Sequence, residues 1–406
     1  MTATGRRNLT MPILAGVCAG MLLMAGVPCK PVLAAETVVT PSIEVRQEYT
    51  DNLFYTPTGS TATFITRVSP GIKASAGSEA ASGSLMARLS GLHYSADSSM
   101  DAIDQKYEGT TAYRFDQRLS LSVSAAYRLE SEPGREIETN GLPQSSSSRH
   151  TSCGVGVTHL YSELATGTMD YGYDQVSYSG NTTGSSSVAT HRINLGVEQD
   201  ADQLLPLLKI HGGVRYYRSD YDAAQIDNFE MVIGAARQLH ERWKVSAEGG
   251  GSYTRSAFQI GTGAAAAHEQ NDSASWLLKA GVAYTDEALR GTLAFNRSVS
   301  STSGNFGSAV EQDALTLSLH RQYSYELSAG ISAGFYRSTA SKNQFGGQAV
   351  DENSWRASLS MRYEFNRFVS ADAGYDFFVQ ERSSAGGTAF TNKIFVQLTA
   401  KTNFFE

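Results

Sequence analysis

An alternation of apolar and polar side chains with a period of two runs through this chain almost to its last residue. Trp355, Ala357, Leu359, Met361, Tyr363 and Phe365 are apolar, and Arg356, Ser358, Ser360, Arg362 and Glu364 lie between them. An extended strand sends successive side chains to opposite faces, so this stretch has one apolar face and one charged face. Leu119, Leu121, Val123, Ala125, Tyr127 and Leu129 alternate in the same way with Arg118, Ser120, Ser122, Ser124, Arg128 and Glu130. Repeated segments of this kind, about ten or more residues long, are the pattern of an all-β, transmembrane, antiparallel up-and-down β-barrel. Counting alternation and turn signals together predicts about 18 strands, or roughly twenty residues per strand and connection.

The mean hydropathy is −0.26. That value does not argue against a membrane, because a barrel shows lipid only alternate residues and keeps polar ones for its lumen and loops. Glycine is abundant at 38 residues and proline scarce at 9, as long strands with tight turns require. The net charge of −7 argues against nucleic acid as a partner.

Residues 1–34 read as a signal peptide and 35–406 as an outer-membrane barrel. Arg6 and Arg7 form the basic start, Met11 to Val27 the apolar stretch, and Val32-Leu33-Ala34 the cleavage signal. Val17 and Pro28 precede Cys18 and Cys29, which is wrong for a lipid anchor. In the mature chain only Cys153 remains, so neither an internal disulfide nor a cysteine metal site is expected. Pro41 to Tyr49 already alternates, so the barrel is expected to begin directly after the leader.

Connections alternate in length. Short ones fall at Phe115–Arg118, Tyr161–Glu163, Leu239–Arg242, Thr285–Glu287, Tyr323–Tyr325 and Phe365–Phe368. Longer ones fall at Glu130 to Arg149, Ser177 to Ala189, Ser256 to Asn271, Ser298 to Glu311, Ser338 to Glu352 and Glu381 to Ala389. Bacterial barrels have short periplasmic turns and longer outer loops, so both termini are expected in the periplasm. Phe115, Tyr161, Trp243, Tyr284, Tyr323, Phe365 and Phe368 gather at the short turns, as an interfacial girdle would. Ile394, Val396, Leu398, Ala400, Thr402 and Phe404 share a face of the last strand, which resembles the segment read by the outer-membrane assembly machinery. The terminal Glu406 departs from the aromatic end such strands usually have.

No catalytic signature is present: there is no Gly-x-Ser-x-Gly, His-Glu-x-x-His or phosphate-binding glycine loop. We therefore expect no enzyme activity, no cofactor and no metal. Charges belong inside, because an Arg or Lys on the lipid face at mid-depth costs about 2–4 kcal/mol. By register the pore lining includes Arg128, Lys209, Arg215, Glu248, Lys279, Arg356, Arg362, Glu364, Asp372 and Asp376. Both signs occur in near balance, which favours bracing of the wall over strong ion selectivity. Tyr217, Tyr336, Phe378 and Phe395 are inward aromatics and candidate stacking surfaces for a glycan.

Tyr49-Thr50-Asp51-Asn52-Leu53-Phe54, with Phe64 and Val68-Ser69-Pro70-Gly71-Ile72 behind it, resembles the opening of the β-barrel porin type 2 family. In this reading Asp51-Asn52 makes a tight turn and Pro70-Gly71 a bend or bulge in the second strand. The resemblance implies a channel for exported exopolysaccharide or capsular polysaccharide, working with outer-membrane lipid and a periplasmic export protein. The alternatives are a general diffusion or nutrient porin, or a non-conducting structural barrel or adhesin. An inward-folded Glu130 to Arg149 segment would favour the diffusion porin.

Overall fold

A computed structural model describes residues 36–133, 147–179, 187–221, 224–260, 267–301, 309–340, 350–382 and 387–404. The expected signal peptide and its cleavage site lie outside them. The first six strands are β1 (Glu36–Thr50), β2 (Thr63–Gly77), β3 (Ala81–Tyr94), β4 (Ala102–Arg114), β5 (Leu119–Glu130) and β6 (Ser147–Ser162). Next come β7 (Ala165–Ser179), β8 (Val188–Asp200), β9 (Leu208–Tyr221), β10 (Ala224–His240), β11 (Trp243–Ile260) and β12 (Ala267–Thr285). The last six are β13 (Leu289–Ser301), β14 (Ala309–Gln322), β15 (Leu327–Ala340), β16 (Val350–Glu364), β17 (Val369–Arg382) and β18 (Gly387–Lys401).

Every strand pairs antiparallel with its neighbours in sequence. β18 returns to β1, from Ser42 opposite Lys401 to Thr50 opposite Lys393, and closes an 18-stranded up-and-down barrel. Closure leaves no unpaired edge, which is how a sheet satisfies its backbone in lipid.

The register carries one face around the whole ring. Ile331, Leu359, Val396 and Ile43 point outward and stay about half exposed, at 53, 52, 53 and 47%. An apolar surface of this extent is stable against hydrocarbon, not water. Aromatic pairs bound it at both ends: Trp243–Tyr284, Tyr363–Phe365 and Tyr113–Phe115 near the short turns, and Phe335–Trp355, Tyr216–Phe229 and Tyr49–Phe64 toward the long loops. Trp355 on β16 and Phe365 just past its end stand about ten residues apart, which at the usual rise and tilt spans about 25 Å, the height of a bilayer's apolar band.

The twelve connections named from sequence fall at the two ends as expected, short ones together with the start of β1 and the end of β18 at one end. Parts of the long ones lie outside the described residues. Two further connections depart from the alternation. The short-turn end carries the seven-residue stretch 201–207, and at the long-loop end only residues 222–223 separate β9 from β10. Several short turns close alike. Asp116 Oδ1 accepts from the Arg118 and Leu119 N–H groups at 2.6 and 2.8 Å, and Asn366 Oδ1 from those of Phe368 and Val369 at 2.8 and 3.0 Å.

Pro70 does not create the bulge its sequence suggests. The ladder to β1 runs unbroken past it, and pairing with β3 merely lapses between Val68–Gly91 and Gly71–Arg88, with no change of register. Proline has no N–H to donate, and a Ser69 to Ser90 hydroxyl bond of 2.8 Å fills the gap. Gly250 is required by close approach: a β-carbon there would overlap the Met231 carbonyl on β10.

Candidate functional site: the lumen and its long-loop mouth

The inner wall is a set of charge ladders. All ten charged residues assigned to the pore from sequence lie on the inward register, in three groups. Arg128 meets Glu108 at 2.7 Å on β4 and β5. Around β8 to β12, Lys209 pairs with Glu198 at 2.8 Å, Arg215 and His211 each reach Glu248 at 3.0 Å, and Lys279 stands opposite Glu248 in register. On β16 and β17, Arg362 binds Asp372 at 2.6 Å and Arg356 lies 3.5 Å from Asp376, with Glu364 opposite Ser370 at the strand end. Half-exposed pairs of this kind contribute at most about 1 kcal/mol each, so the ladders brace the wall collectively.

Toward the long-loop end two segments turn into the barrel. The first is the motif that carries the family resemblance. Asp51-Asn52 does not close a tight hairpin between β1 and β2; a turn from Asn52 to Tyr55 opens a longer loop, and the pair fastens its start to β18. Asp51 accepts the Asn392 backbone N–H at 2.8 Å and its side-chain amide at 2.6 Å, while Asn52 Nδ2 donates to the carbonyls of Thr56 and Phe390 at 2.8 and 2.9 Å. Beyond this clasp Leu53 is buried to 1% exposure among Ile65, Leu92 and Tyr94, the inward residues of β2 and β3. Tyr55, held at a positive φ of 55°, packs edge-on against Phe378 of β17 at 5.4 Å. Gly387, with φ of 144°, lies against Pro57 of the same loop, so a β-carbon there would be both strained and crowded.

The second segment follows β5. Ser131 donates its N–H to Asp104 at 2.9 Å, and the next side chain, Glu132, is buried against Arg67 of β2. Glu132 also lies 3.5 Å from Lys393 Nζ on β18, and Lys393 lies 3.4 Å from Glu48 on β1. Arg46 completes the set at 2.5 Å from Glu48. Side-chain exposures of 7, 14 and 4% for Glu132, Lys393 and Glu48 make this a buried network. Arg67, Glu132 and Lys393 escaped the sequence reading. Lys393 was signalled by its place between the outward residues Asn392 and Ile394; Glu132, outside any strand, carried no periodic signal.

The four candidate stacking rings are all inward, and each is already engaged. Phe378 is 5% exposed beneath Tyr55. Phe395 lies 3.7 Å under the Arg46 guanidinium. Tyr217 donates its hydroxyl to Glu230 at 3.1 Å and carries Arg192 at 5.6 Å from its ring, while Tyr336 folds over Gly334.

The β2 to β8 side of the lumen is different. Ser75, Ser84, Thr110, Ser124, Gly154 and Gly172 succeed one another across adjacent strands. These small side chains leave a cavity of about 990 Å³ whose far margin is Asp170, Arg192 and Asn194. Among the described residues no group of three or more His, Cys, Asp or Glu is placed to hold a metal ion.

A closed antiparallel ring of 18 strands, apolar outside and charged within, is the fold of the outer-membrane β-barrels. Solved structures of that kind resemble it. The ferric citrate transporter FecA, in its unliganded form, aligns at a TM-score of 0.51 and 12% identity, over 86% of this chain and 60% of that one. This chain thus spans about 60% of the length of FecA. OccAB4 of Acinetobacter baumannii gives 0.48 and 11% over 92% of this chain and 100% of that one; OpdK of Pseudomonas aeruginosa, solved with vanillate, gives 0.47 and 11% over 90% and 99%. The likeness is one of fold. No family model matches the chain. No curated protein matches it either.

Proposed function

We propose that this chain is a diffusion channel for small solutes, of the general or nutrient-porin kind, seated in the outer membrane with its short turns in the periplasm. A barrel of 18 strands is wide enough for an aqueous lumen. The observation that carries the reading is Glu132, buried inside the wall against Arg67 and Lys393. It turns the start of the long Glu130 to Arg149 connection inward, as a loop that narrows a diffusion pore does. Residues 134–146 of that connection lie outside the described residues.

A second reading is export of a polysaccharide handed over by a periplasmic partner, and the Tyr49–Phe54 motif favours it. Against it stands the engagement of all four candidate stacking rings by protein groups. Single-channel conductance of the refolded mature protein, with and without anionic and neutral polysaccharides, separates the two. Stable openings indifferent to glycans are the expected result. Openings blocked by a glycan would transfer the assignment to export, and a folded barrel without conductance would leave a structural or adhesive protein.

A further inference from the structure

The large cavity of the lumen has an unusual margin. Most inner charges near it are neutralised by a partner on the same or the next strand, as Arg128 is by Glu108 and Arg215 by Glu248. Asp170 and Arg192 make no ion pair among the described residues, although they sit on adjacent strands. Asp170 faces Asn194 in register and Arg192 faces Gly172, so the two charges are diagonal neighbours around a floor of Gly172 and Asn194.

Their side chains part from each other. Asp170 Oδ1 occupies the space that a β-carbon on Gly156 would need, on the β6 side. Arg192 leans the other way, over the Tyr217 ring of β9. Gly156 and Gly172 thus make room for a carboxylate and a guanidinium held apart, with the cavity open above them. On the floor between, Asn194 adds a polar, uncharged side chain to the cavity lining.

We propose that Asp170 and Arg192 form a binding station for small zwitterions of the α-amino-acid class; this rests on the channel reading above. The carboxylate of such a solute meets the Arg192 guanidinium in charge-assisted hydrogen bonds. Its ammonium group donates to Asp170. The hydroxyls of Ser75, Ser82, Ser84, Thr110, Ser122 and Ser124 face the rest of the solute without imposing a charge. An anion would meet Arg192 but be repelled by Asp170, and a cation the reverse. Only a solute carrying both charges gains from both.

The test is efflux of radiolabelled serine, glycerol and lactate from proteoliposomes holding the refolded barrel. Serine and glycerol are close in size, so a passive pore without a station passes them at similar rates. The station predicts a serine preference over both glycerol and lactate, and a fall of about fivefold in the serine-to-glycerol ratio for Arg192→Gln and for Asp170→Asn. Arg192→Lys, which keeps the charge, retains most of the preference and guards against a folding artefact. A native ratio set by size alone, or lactate favoured as strongly as serine, would overturn the station while leaving the channel intact. Failure of all three solutes to leave would overturn the channel reading and the station with it.

Discussion

Lys393 Nζ lies 3.5 Å from Glu132 Oε1, which joins the last strand of the barrel to the segment that leaves its fifth. The same ammonium group is 3.4 Å from Glu48, so one cation serves two buried carboxylates. Buried charges of this kind hold a geometry more than they add stability, since desolvation offsets much of their attraction. Here the geometry is the inward course of the chain at the long-loop end.

Lys393→Met should cost the barrel about 1–3 kcal/mol, because Glu48 and Glu132 lose the cation between them and keep only Arg46 and Arg67. Urea unfolding in detergent measures it. Glu132→Gln should cost less and raise single-channel conductance, as the inward segment loses its hold on β18.

Leu53→Ala removes the side chain that fills the space between Ile65, Leu92 and Tyr94. A loss of about 2–4 kcal/mol is expected from such a cavity. Proteolysis within residues 56–62 should quicken in step, since Leu53 seats the loop that follows it.

Outward and inward positions on neighbouring strands should respond oppositely to the same charge. Leu359→Arg places a guanidinium on the exposed apolar face and should cost about 2–4 kcal/mol in lipid. Ser332→Arg, which faces the lumen opposite Ser358, should fold and instead alter conductance and ion preference.

The Asp116 carboxyl, in the turn between β4 and β5, is held below the usual carboxylate range by the backbone N–H groups of Arg118 and Leu119. A depressed folded-state pKa stabilises the fold above the unfolded pKa, and the effect is lost as pH falls through the depressed value. Stability of the native protein should therefore decline with acidification more than that of Asp116→Ala. Unfolding midpoints of both proteins across the acidic range measure the difference.

Much of this architecture was legible because alternation is a local property. Leu359, Ser360 and Met361 declare their faces without reference to any distant residue, and the ten ladder charges followed from their register alone. Conformation outside the strands was not legible in that way. Asp51-Asn52 looks like a tight turn, yet its partners are Asn392 and Phe390, more than three hundred positions along the chain. Glu132 sits in a stretch with no period at all, and its role depends on Arg67 and Lys393 meeting across the closed ring. The pairing of Phe378 with Tyr55 was hidden for the same reason: the strand fixes where the ring points, and only the loop decides whether it stays free.

The Asp51–Asn392 clasp has a consequence for how the ring is made. Seventeen of the strand pairings join sequence neighbours, and each hairpin can form as soon as its own residues are available. The pairing of β1 with β18 alone must wait for the whole chain, and it bears the largest entropy cost of closure. Asp51 and Asn52 lie at the end of that seam, so the residues that roof the mouth are also those that bolt the first strand to the last. A barrel of this design cannot acquire its roof before it has become a circle.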